Sequence, residues 1–309
     1  MSLESKSKAL LDRALMLKKV RSFFDAKGVI EVDTPILIEF PNNDAYIDPI
    51  LGFDGLEQRY LHTSPEFGMK RLLTSLKKDI YELSHVFRAK EIGSKHNPEF
   101  MMLEWYRIGF SLDALIQETL ELIFLFVPTC KVTTLSYGQA FKKFTGICLD
   151  DATQDTFKDC LKQNHIEPPA YATFEELTHF VFGSCVEPKF KDITVIKGFP
   201  VNQAALAKLK IIDGKLEAMR FEIYYKSYEL ANGYDELKDP SEQRSRFDAW
   251  NQERLETKKP ILPIDPRFLA ILDRLPECCG VAVGFDRLMM CRHNALHISE
   301  VTAFSYHEI

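Results

Sequence analysis

The apolar positions near the start of the chain recur with the spacing of an amphipathic helix. From about Ser7 to Lys27 they are Leu10, Ala14, Leu17, Val20 and Phe24. A stripe of this kind along one face predicts an α-helix. Gly28 stands where a helix commonly ends, because glycine adopts the left-handed backbone conformation without strain. Residues 29–37 follow as a strand interrupted by Pro35, which favours a sheet edge or a subunit boundary over a sheet centre.

Alternation of apolar and polar residues then predicts two antiparallel strands. They run from Ile80 to Arg88 and from Phe100 to Gly109. Period-2 geometry places one set of side chains of the second strand on a common face, namely Phe100, Met102, Glu104 and Tyr106. The loop between the strands has about a dozen residues, and loops of that length are often functional.

The remaining pattern alternates helices with widely separated strands. Ser64-Pro65-Glu66 has the composition of a helix start, with serine as the N-cap, proline in the first turn and glutamate at the positive end of the dipole. Further helices are predicted over about 111–126, 153–163, 173–183 and 241–258. Strands are predicted over about 193–197, 217–230 and 280–284, the second ending in the turn signal Ala231-Asn232-Gly233 and the third leading into a helix.

Long connections between the strands, without regular βαβ alternation, favour an α+β fold built on an antiparallel sheet flanked by helices. Over about 151–215 two short predicted helices precede a strand, and this change of pattern predicts a small insertion or subdomain. The dinucleotide and P-loop glycine fingerprints are both missing, so a nucleotide site must be built differently.

Composition narrows the class of protein. The chain has 309 residues, is 46% hydrophobic and has a net charge of -6, which argues against broad nucleic-acid binding and against tRNA as a partner. The cluster Lys70, Arg71, Lys77 and Lys78 is typical of a solvated helix face. No apolar run is long enough for a membrane span and no export segment is visible. The seven cysteines lack metal or disulfide spacing, so we expect reduced thiols and a cytoplasmic protein.

Two groups of residues carry candidate chemistry. Glu104 lies in an apolar strand, where an unpaired carboxylate is costly. It has either an internal salt bridge or, with Tyr106 and the acidic stretch from Glu229 to Glu236, a role in a pocket for a cationic substrate. Charge-assisted hydrogen bonds there would contribute about 1.5–3 kcal/mol each. Arg88 and Arg287 stand at strand ends, where each either forms a surface ion pair or grips a phosphate.

Three ordered segments resemble the signature motifs of class II aminoacyl-tRNA synthetases of the lysyl type. The first helix and the strand ending at Pro35 resemble motif 1. The segment from Arg88 to Arg107, with His96-Asn97-Pro98-Glu99-Phe100, resembles motif 2, and Gly284-Phe285-Asp286-Arg287 resembles motif 3. The resemblance covers essentially residues 1–309 as one catalytic domain. It implies a homodimer, since the strand of motif 1 lies at the subunit interface in this class.

Two departures from the lysyl enzymes point to a more specific family. The motif 1 helix begins almost at once, which leaves no room for an N-terminal OB-fold that reads an anticodon. Ala282 also stands where lysyl enzymes have glycine. Together with the segment from Tyr224 to Gly233, these features resemble the elongation factor P–(R)-β-lysine ligases. That family activates (R)-β-lysine with ATP and attaches it to a lysine side chain of elongation factor P.

The resemblance implies a role for each matching residue. Arg88 and Arg287 are expected to act in catalysis by holding the ATP phosphates. The other expected ATP contacts are Ala89, Lys90, Asn97, Phe100, Glu229, Leu230 and Gly284, with Glu229 also a ligand of Mg²⁺. The expected contacts of the diamino acid are Ser64, Pro65, Glu66, Glu104, Tyr106, Glu236 and Ala282.

One segment departs from the ligases as well. Their motif 2 begins Phe-Arg-Asn-Glu, whereas this chain reads Phe87-Arg88-Ala89-Lys90-Glu91. A shift of one residue turns a strand side chain to the other face. Either Glu91 reaches the site through a distortion of the loop, or Lys90 contacts the nucleotide differently.

Two other functions remain open at this level. One is a lysyl-tRNA synthetase-like enzyme that uses α-lysine, since a fold does not settle the acceptor. The other is a catalytically inert paralogue that serves as a regulatory binding module. Such paralogues typically lose the phosphate-binding arginines or the ATP-binding carboxylate, and this chain retains Arg88, Arg287, Glu229 and Glu236.

Overall fold

The computed structural model describes residues 3–169 and 172–308. The α-helices are α1 (Leu3–Asp25), α2 (Glu66–Leu76), α3 (Leu112–Ile123), α4 (Tyr137–Thr145), α5 (Gln154–Gln163), α6 (Phe174–Val181), α7 (Pro240–Glu256), α8 (Pro266–Leu269) and α9 (Phe285–His293). The strands are β1 (Ile30–Glu31), β2 (Leu37–Ile38), β3 (Ile50–Phe53), β4 (Gln58–Leu61), β5 (Ile80–Phe87), β6 (Glu99–Ile108), β7 (Val132–Ser136), β8 (Ile193–Phe199), β9 (Leu209–Ile212), β10 (Lys215–Tyr225), β11 (Tyr228–Asp235) and β12 (Cys278–Gly284).

The chain divides into two compact units. The first runs to Pro128 and resumes at Tyr234, and the second comprises Thr129–Gly233. The insertion predicted over 151–215 lies within the second unit, which also includes β7, α4, β10 and β11 as far as Gly233. Among the described residues, no helix combines the length and the apolar character needed to cross a bilayer.

The sheet of the first unit is mostly antiparallel. β5 pairs in parallel with β1 and antiparallel with β6, and β6 pairs antiparallel with β12. Period 2 gives this sheet two different faces. On one face α1 packs through Phe24, whose ring stacks on Tyr81 at 4.3 Å and meets Trp105 edge-on at 5.3 Å. The opposite face carries Glu104 and its neighbours, so the apolar packing of one face fixes the position of the polar residues on the other.

The strands of the second unit pair with one another in a sheet and cover a core within that unit. β8 pairs in parallel with β7 and antiparallel with β10, which also pairs antiparallel with β9. Aromatic side chains dominate the core between this sheet and the helices: Tyr137 stacks on Phe182 at 4.6 Å, and Phe190 meets Tyr224 edge-on at 5.0 Å.

The predicted α+β class and most of the predicted elements are confirmed. The helices α1, α3, α5, α6 and α7 and the strand pair β5–β6 are found within a few residues of their predicted bounds. The strand predicted over 29–37 was wrong in extent, because Pro35 leaves only the two-residue strands β1 and β2. The turn predicted at Ala231-Asn232-Gly233 was also wrong. Those residues continue β11, and the chain turns earlier, where Lys226 has φ 54°.

Candidate active site

The strand register brings the candidate pocket residues of the first unit into rows. Glu104 in β6 lies opposite Glu82 in β5 and opposite Ala282 in β12. In the next row, Tyr106 lies opposite Gly280. Because directly opposed residues share a face of the sheet, the small residues of β12 leave space beside the carboxylate and the phenol of β6.

Only glycine fits at position 280, because two side chains lie close to its Cα atom. A Cβ atom at this position would lie 2.3 Å from Tyr106 Cε1 and 2.4 Å from Glu236 Oε1. Both neighbours are buried, so neither can move away at low cost. The glycine therefore lets the segment that carries Glu236 pack directly against the Tyr106 ring.

Both oxygens of Glu104 accept hydrogen bonds. The Tyr106 hydroxyl donates to Oε1 at 2.6 Å, and the Ser64 hydroxyl donates to Oε2 at 2.7 Å. Ser64 Oγ also accepts from the backbone N–H of Glu66 at 3.0 Å, although Pro65 rather than the predicted Ser64 is the N-cap of α2. Ser64 thus connects the start of this helix to the strand carboxylate.

Burial changes the proton affinity of these groups. It raises the pKa of Glu104 to about 8, with the nearby Glu66 carboxylate acting in the same direction. Burial and the Glu104 carboxylate raise the pKa of Tyr106 well above its ordinary value. Glu82 is buried beside them, and burial raises its pKa to about 7 although Thr34 donates two hydrogen bonds to it. The neighbouring protein groups therefore do not stabilise the ionised forms of Glu82 and Glu104 enough to offset burial.

A buried lysine pairs with two further carboxylates. Lys70 Nζ lies 2.6 Å from Glu66 Oε1 and 2.6 Å from Glu236 Oε2, and its side chain is fully buried. The prediction that Lys70 lies on a solvated helix face was therefore wrong. Burial alone would lower the pKa of Lys70, but the carboxylates of Glu236 and Glu66 outweigh it and raise the pKa. Burial raises the pKa of Glu236 to about 8, against the opposing effect of the Lys70 ammonium group.

The cluster thus combines one cation with several carboxylates. Within the described chain, Lys70 is the only cationic side chain that pairs with Glu66, Glu104 or Glu236. This excess of acid is suited to a ligand with ammonium groups. The predicted residues that the structure brings into this neighbourhood are Ser64, Pro65, Glu66, Glu104, Tyr106, Glu236 and Ala282.

Sequence reasoning missed three members of the cluster. Lys70 had a signal in its spacing of four from Glu66, which is typical of a helical ion pair. Glu82 had a signal in its position within an apolar strand. For Gly280, nothing in its neighbourhood in the sequence indicated that Glu236 would approach it.

Arg88 and Phe100 lie together at the end of the β5–β6 pair. The Arg88 guanidinium carbon lies 5.1 Å from the centre of the Phe100 ring. In the part of the chain that the structure describes, no carboxylate pairs with Arg88, and its buried Nε has no hydrogen-bond partner. Four residues of strand, about 13 Å, separate Phe100 from Glu104. An unpaired arginine beside an aromatic ring is suited to a nucleotide phosphate and base.

Motif 3 contributes Arg287 next to the loop of motif 2. Arg287 Nη2 lies 2.7 Å from His96 Nε2, and Gly284 is the N-cap of α9. Asp286 accepts a hydrogen bond from the backbone N–H of Met101 at 2.8 Å and also pairs with Arg13 of α1. The start of α9 is therefore fixed to the strand that carries Phe100.

Asn97 contacts two backbone groups. Its Nδ2 donates to the carbonyl of Glu99 at 3.2 Å, and its Oδ1 accepts from the N–H of Tyr306 at 3.3 Å. These bonds hold the loop before β6 in place beside the carboxyl-terminal segment.

The unusual segment after Arg88 forms a distorted turn. The Ala89 N–H donates to the Asp48 carbonyl at 2.8 Å. Lys90 adopts φ 66°, is 83% exposed in its side chain and pairs with Asp48 at 3.3 Å. Glu91 is only half-exposed. The distortion thus turns the lysine toward solvent, and both predicted alternatives for Lys90 and Glu91 stay predictions.

Glu229 and Leu230 lie on β11 in the second unit. Glu229 is half-buried and, with Glu222 and Glu187, adds to the effect of burial in raising the pKa of Tyr224. Leu230 is buried, so its backbone rather than its side chain is available to a ligand. No group of three His, Cys, Asp or Glu side chains that could hold a metal occurs among the described residues. A single carboxylate is nonetheless enough for Mg²⁺ that is also bound by phosphates.

The comparisons with known proteins agree with this geometry. The family model for tRNA synthetases class II (D, K and N) matches residues 1–308. The chain belongs to this family. An elongation factor P–(R)-β-lysine ligase of Avibacterium paragallinarum is 42% identical over 96% of this chain and 94% of the relative. Ligases of the same name from Vibrio cholerae and Haemophilus influenzae are 40% and 39% identical, each over 96% of this chain and 95% of the relative.

Both groups of candidate residues, the pair Arg88–Phe100 and the cluster around Glu104, lie on or beside strands of the class II motifs. The motif 2 strand β6 carries Phe100 toward one end and Glu104 and Tyr106 toward the other. The strand before motif 3 runs beside it as β12, with Gly280, Ala282 and Gly284 on the same face. The predicted class II catalytic domain is thereby confirmed as the fold of this chain.

Proposed function

We propose that this chain is an ATP-dependent ligase that activates (R)-β-lysine and transfers it to a lysine side chain of elongation factor P. The observation that carries the proposal is the buried cluster of Glu66, Glu104 and Glu236 around Lys70, which leaves an excess of negative charge for a diamino acid. The relatives named as ligases of (R)-β-lysine and elongation factor P support this choice of substrates.

The reaction has two steps. A carboxylate oxygen of (R)-β-lysine attacks the α-phosphorus of ATP, the bond to the β-phosphate oxygen breaks, and pyrophosphate leaves. The neutral amine of the acceptor lysine then attacks the carbonyl carbon, AMP leaves with the electron pair of the broken bond, and the nitrogen loses a proton. Arg88 holds the α-phosphate and Arg287 the terminal phosphates, so catalysis consists mainly of positioning and charge stabilisation.

The remaining ATP contacts follow from the family. Phe100 stacks on adenine, and Asn97, Gly284 and the backbone at Leu230 line the nucleotide site. Glu229 would hold Mg²⁺, and the ion would supply positive charge against the leaving pyrophosphate. We assign no ATP contact to the side chain of Lys90, because it pairs with Asp48 at the surface.

Ala282 sets the choice between β-lysine and α-lysine. Its methyl group stands opposite Glu104 in the register of β12 and β6, so it occupies volume that glycine would leave open. We expect Ala282→Gly to lower the preference for (R)-β-lysine over L-α-lysine, because the deeper pocket admits an amine at the α-carbon. A preference unchanged by the substitution would remove Ala282 from substrate selection.

We infer that the enzyme is a cytoplasmic homodimer. Apolar residues around motif 1 are exposed in the single chain, with Leu11 72% and Leu15 56% accessible on α1 and Leu37 44% accessible on β2. A symmetric contact through this region would cover them. Sedimentation equilibrium should give twice the chain mass, and Leu11→Lys with Leu15→Lys should give the mass of one chain.

ATP–pyrophosphate exchange tests the first step and the substrate together. The chain is incubated with labelled pyrophosphate, ATP and either (R)-β-lysine or L-α-lysine. Exchange that depends on (R)-β-lysine is expected. A preference for L-α-lysine would favour the lysyl-tRNA synthetase-like alternative, and no exchange with either amino acid would favour an inert paralogue.

A further inference from the structure

Lys70 is a titratable group at the centre of the pocket that the proposed chemistry does not use. It lies one helical turn after Glu66 in α2, and its ammonium group also reaches Glu236, which follows β11. The two carboxylates therefore come from distant parts of the sequence and meet only through this cation. Without it, they would repel each other, and at least one would be driven to take up a proton.

The two carboxylates differ in access and in hydrogen bonding. The side chain of Glu66 is 13% exposed and that of Glu236 is 1% exposed. Neither oxygen of Glu236 accepts a well-aligned hydrogen bond from a described residue, although Lys70 Nζ is 2.6 Å from Oε2. The contact is thus an ion pair that leaves lone pairs of the carboxylate unfilled. Glu104, in contrast, already accepts from Ser64 and Tyr106.

We propose that Lys70 is a positioning residue for the amino acid substrate: its ammonium group contacts Glu66 and Glu236 at 2.6 Å each and orients them so that together they receive an ammonium group of the diamino acid. This inference rests on the proposed function. Lys70 itself contacts neither the reacting carboxylate nor ATP in this account; it acts through the two glutamates.

Other ionisable groups around the pair cannot replace Lys70. The groups that influence Glu66, Glu236 or the adjoining Glu104 from neighbouring elements are Glu104 and Tyr106 of β6, Asp235 of β11 and Glu82 of β5. All of them are acidic. Without the lysine, repulsion between the carboxylates is therefore limited only when one of them takes up a proton. A protonated carboxyl group binds an ammonium group poorly.

The test is Lys70→Met, which keeps much of the volume and removes the charge. The KM for (R)-β-lysine in ATP–pyrophosphate exchange is expected to rise about tenfold or more near pH 8.5, because Glu236 loses the cation that lowers its pKa and fixes its position. The rise near pH 6.5 should be smaller, because the Glu236 carboxyl group is largely protonated there in the unmodified chain as well. The KM for ATP should stay within about twofold, because Arg88 and Phe100 lie several strand residues away. The exposed Lys78→Met serves as the matched control and should change neither constant.

A second variant covers the case in which Lys70→Met does not fold. Lys70→Met with Glu236→Gln removes a cation and one of its anions together, and its KM should be no higher than that of Glu236→Gln alone. Additive losses would overturn the inference, as would a Lys70→Met enzyme whose amino acid KM is unchanged at both pH values. Equal rises in both KM values with a lowered melting temperature would also overturn it, because they indicate a merely structural role. Lack of exchange by the unmodified chain would instead refute the proposed function.

Discussion

Gly280→Ala is the substitution whose effect follows most directly from the packing of the site. The new methyl group would lie 2.3 Å from Tyr106 Cε1 and 2.4 Å from Glu236 Oε1, well inside van der Waals contact. Either the ring or the carboxylate must move. Movement of the ring weakens its hydrogen bond to Glu104, and movement of the carboxylate separates Glu236 from Lys70.

Both the stability and the substrate affinity of the Gly280→Ala enzyme should fall. Overpacking of a buried site costs about 1–3 kcal/mol in the free energy of unfolding. The loss of one charge-assisted hydrogen bond to the substrate costs about 1.5–3 kcal/mol, which corresponds to a rise of about 10- to 150-fold in the KM for (R)-β-lysine.

The assay is ATP–pyrophosphate exchange, with the KM for ATP measured beside that for the amino acid and unfolding followed in urea. Gly138→Ala is the matched control, because no atom lies within 4 Å of its added Cβ and alanine is favoured in a helix. A Gly280→Ala enzyme with an unchanged KM for (R)-β-lysine would refute the packing argument.

Four further predictions concern charge and backbone conformation. Arg287→Ala should lower exchange by about 100-fold or more while circular dichroism stays unchanged, because its charge-assisted bonds to phosphate are lost; retained exchange would remove it from the mechanism. Burial raises the pKa of Glu104 and Glu236 to about 8 from an ordinary 4.5. Between these two pH values the folded state therefore binds more protons than the unfolded state. The free energy of unfolding should accordingly fall as pH rises from about 4.5 to 8. (R)-β-lysine should accordingly raise the melting temperature more at pH 8 than at pH 6, and a larger gain at pH 6 would contradict the raised pKa values. Lys90→Gly should stabilise the chain by about 1 kcal/mol, because glycine adopts the left-handed backbone conformation without strain and only one exposed ion pair is lost. ATP–pyrophosphate exchange should persist in this variant. Loss of exchange would show that Lys90 takes part in the site.

Local patterns in the sequence predicted the face of β6 correctly. Strict alternation placed Glu104 and Tyr106 on one side, and their hydrogen bond confirms that they share it. The same reasoning failed for Lys70, because a run of lysine and arginine on a helix does not reveal which of them points at buried acids. The close approach at Gly280 was also beyond local reasoning, since the residue that requires it, Glu236, is distant in sequence.

The misplaced turn has a tertiary cause. Asn232-Gly233 has a typical turn composition, but the Asn232 side chain accepts a hydrogen bond from Arg220 Nε at 3.2 Å, which holds it within the strand. The actual turn uses Lys226 in a left-handed conformation, and lysine gives no sequence signal for that conformation. Contacts between neighbouring strands thus outweighed local propensity here.

The most direct test of the central claim is the intact mass of elongation factor P after incubation with this chain, ATP and (R)-β-lysine. The proposed function predicts a gain of one β-lysyl group on a single lysine of the acceptor, with AMP and pyrophosphate released. No gain in mass, under conditions where the chain catalyses ATP–pyrophosphate exchange with (R)-β-lysine, would contradict the assignment of elongation factor P as the acceptor.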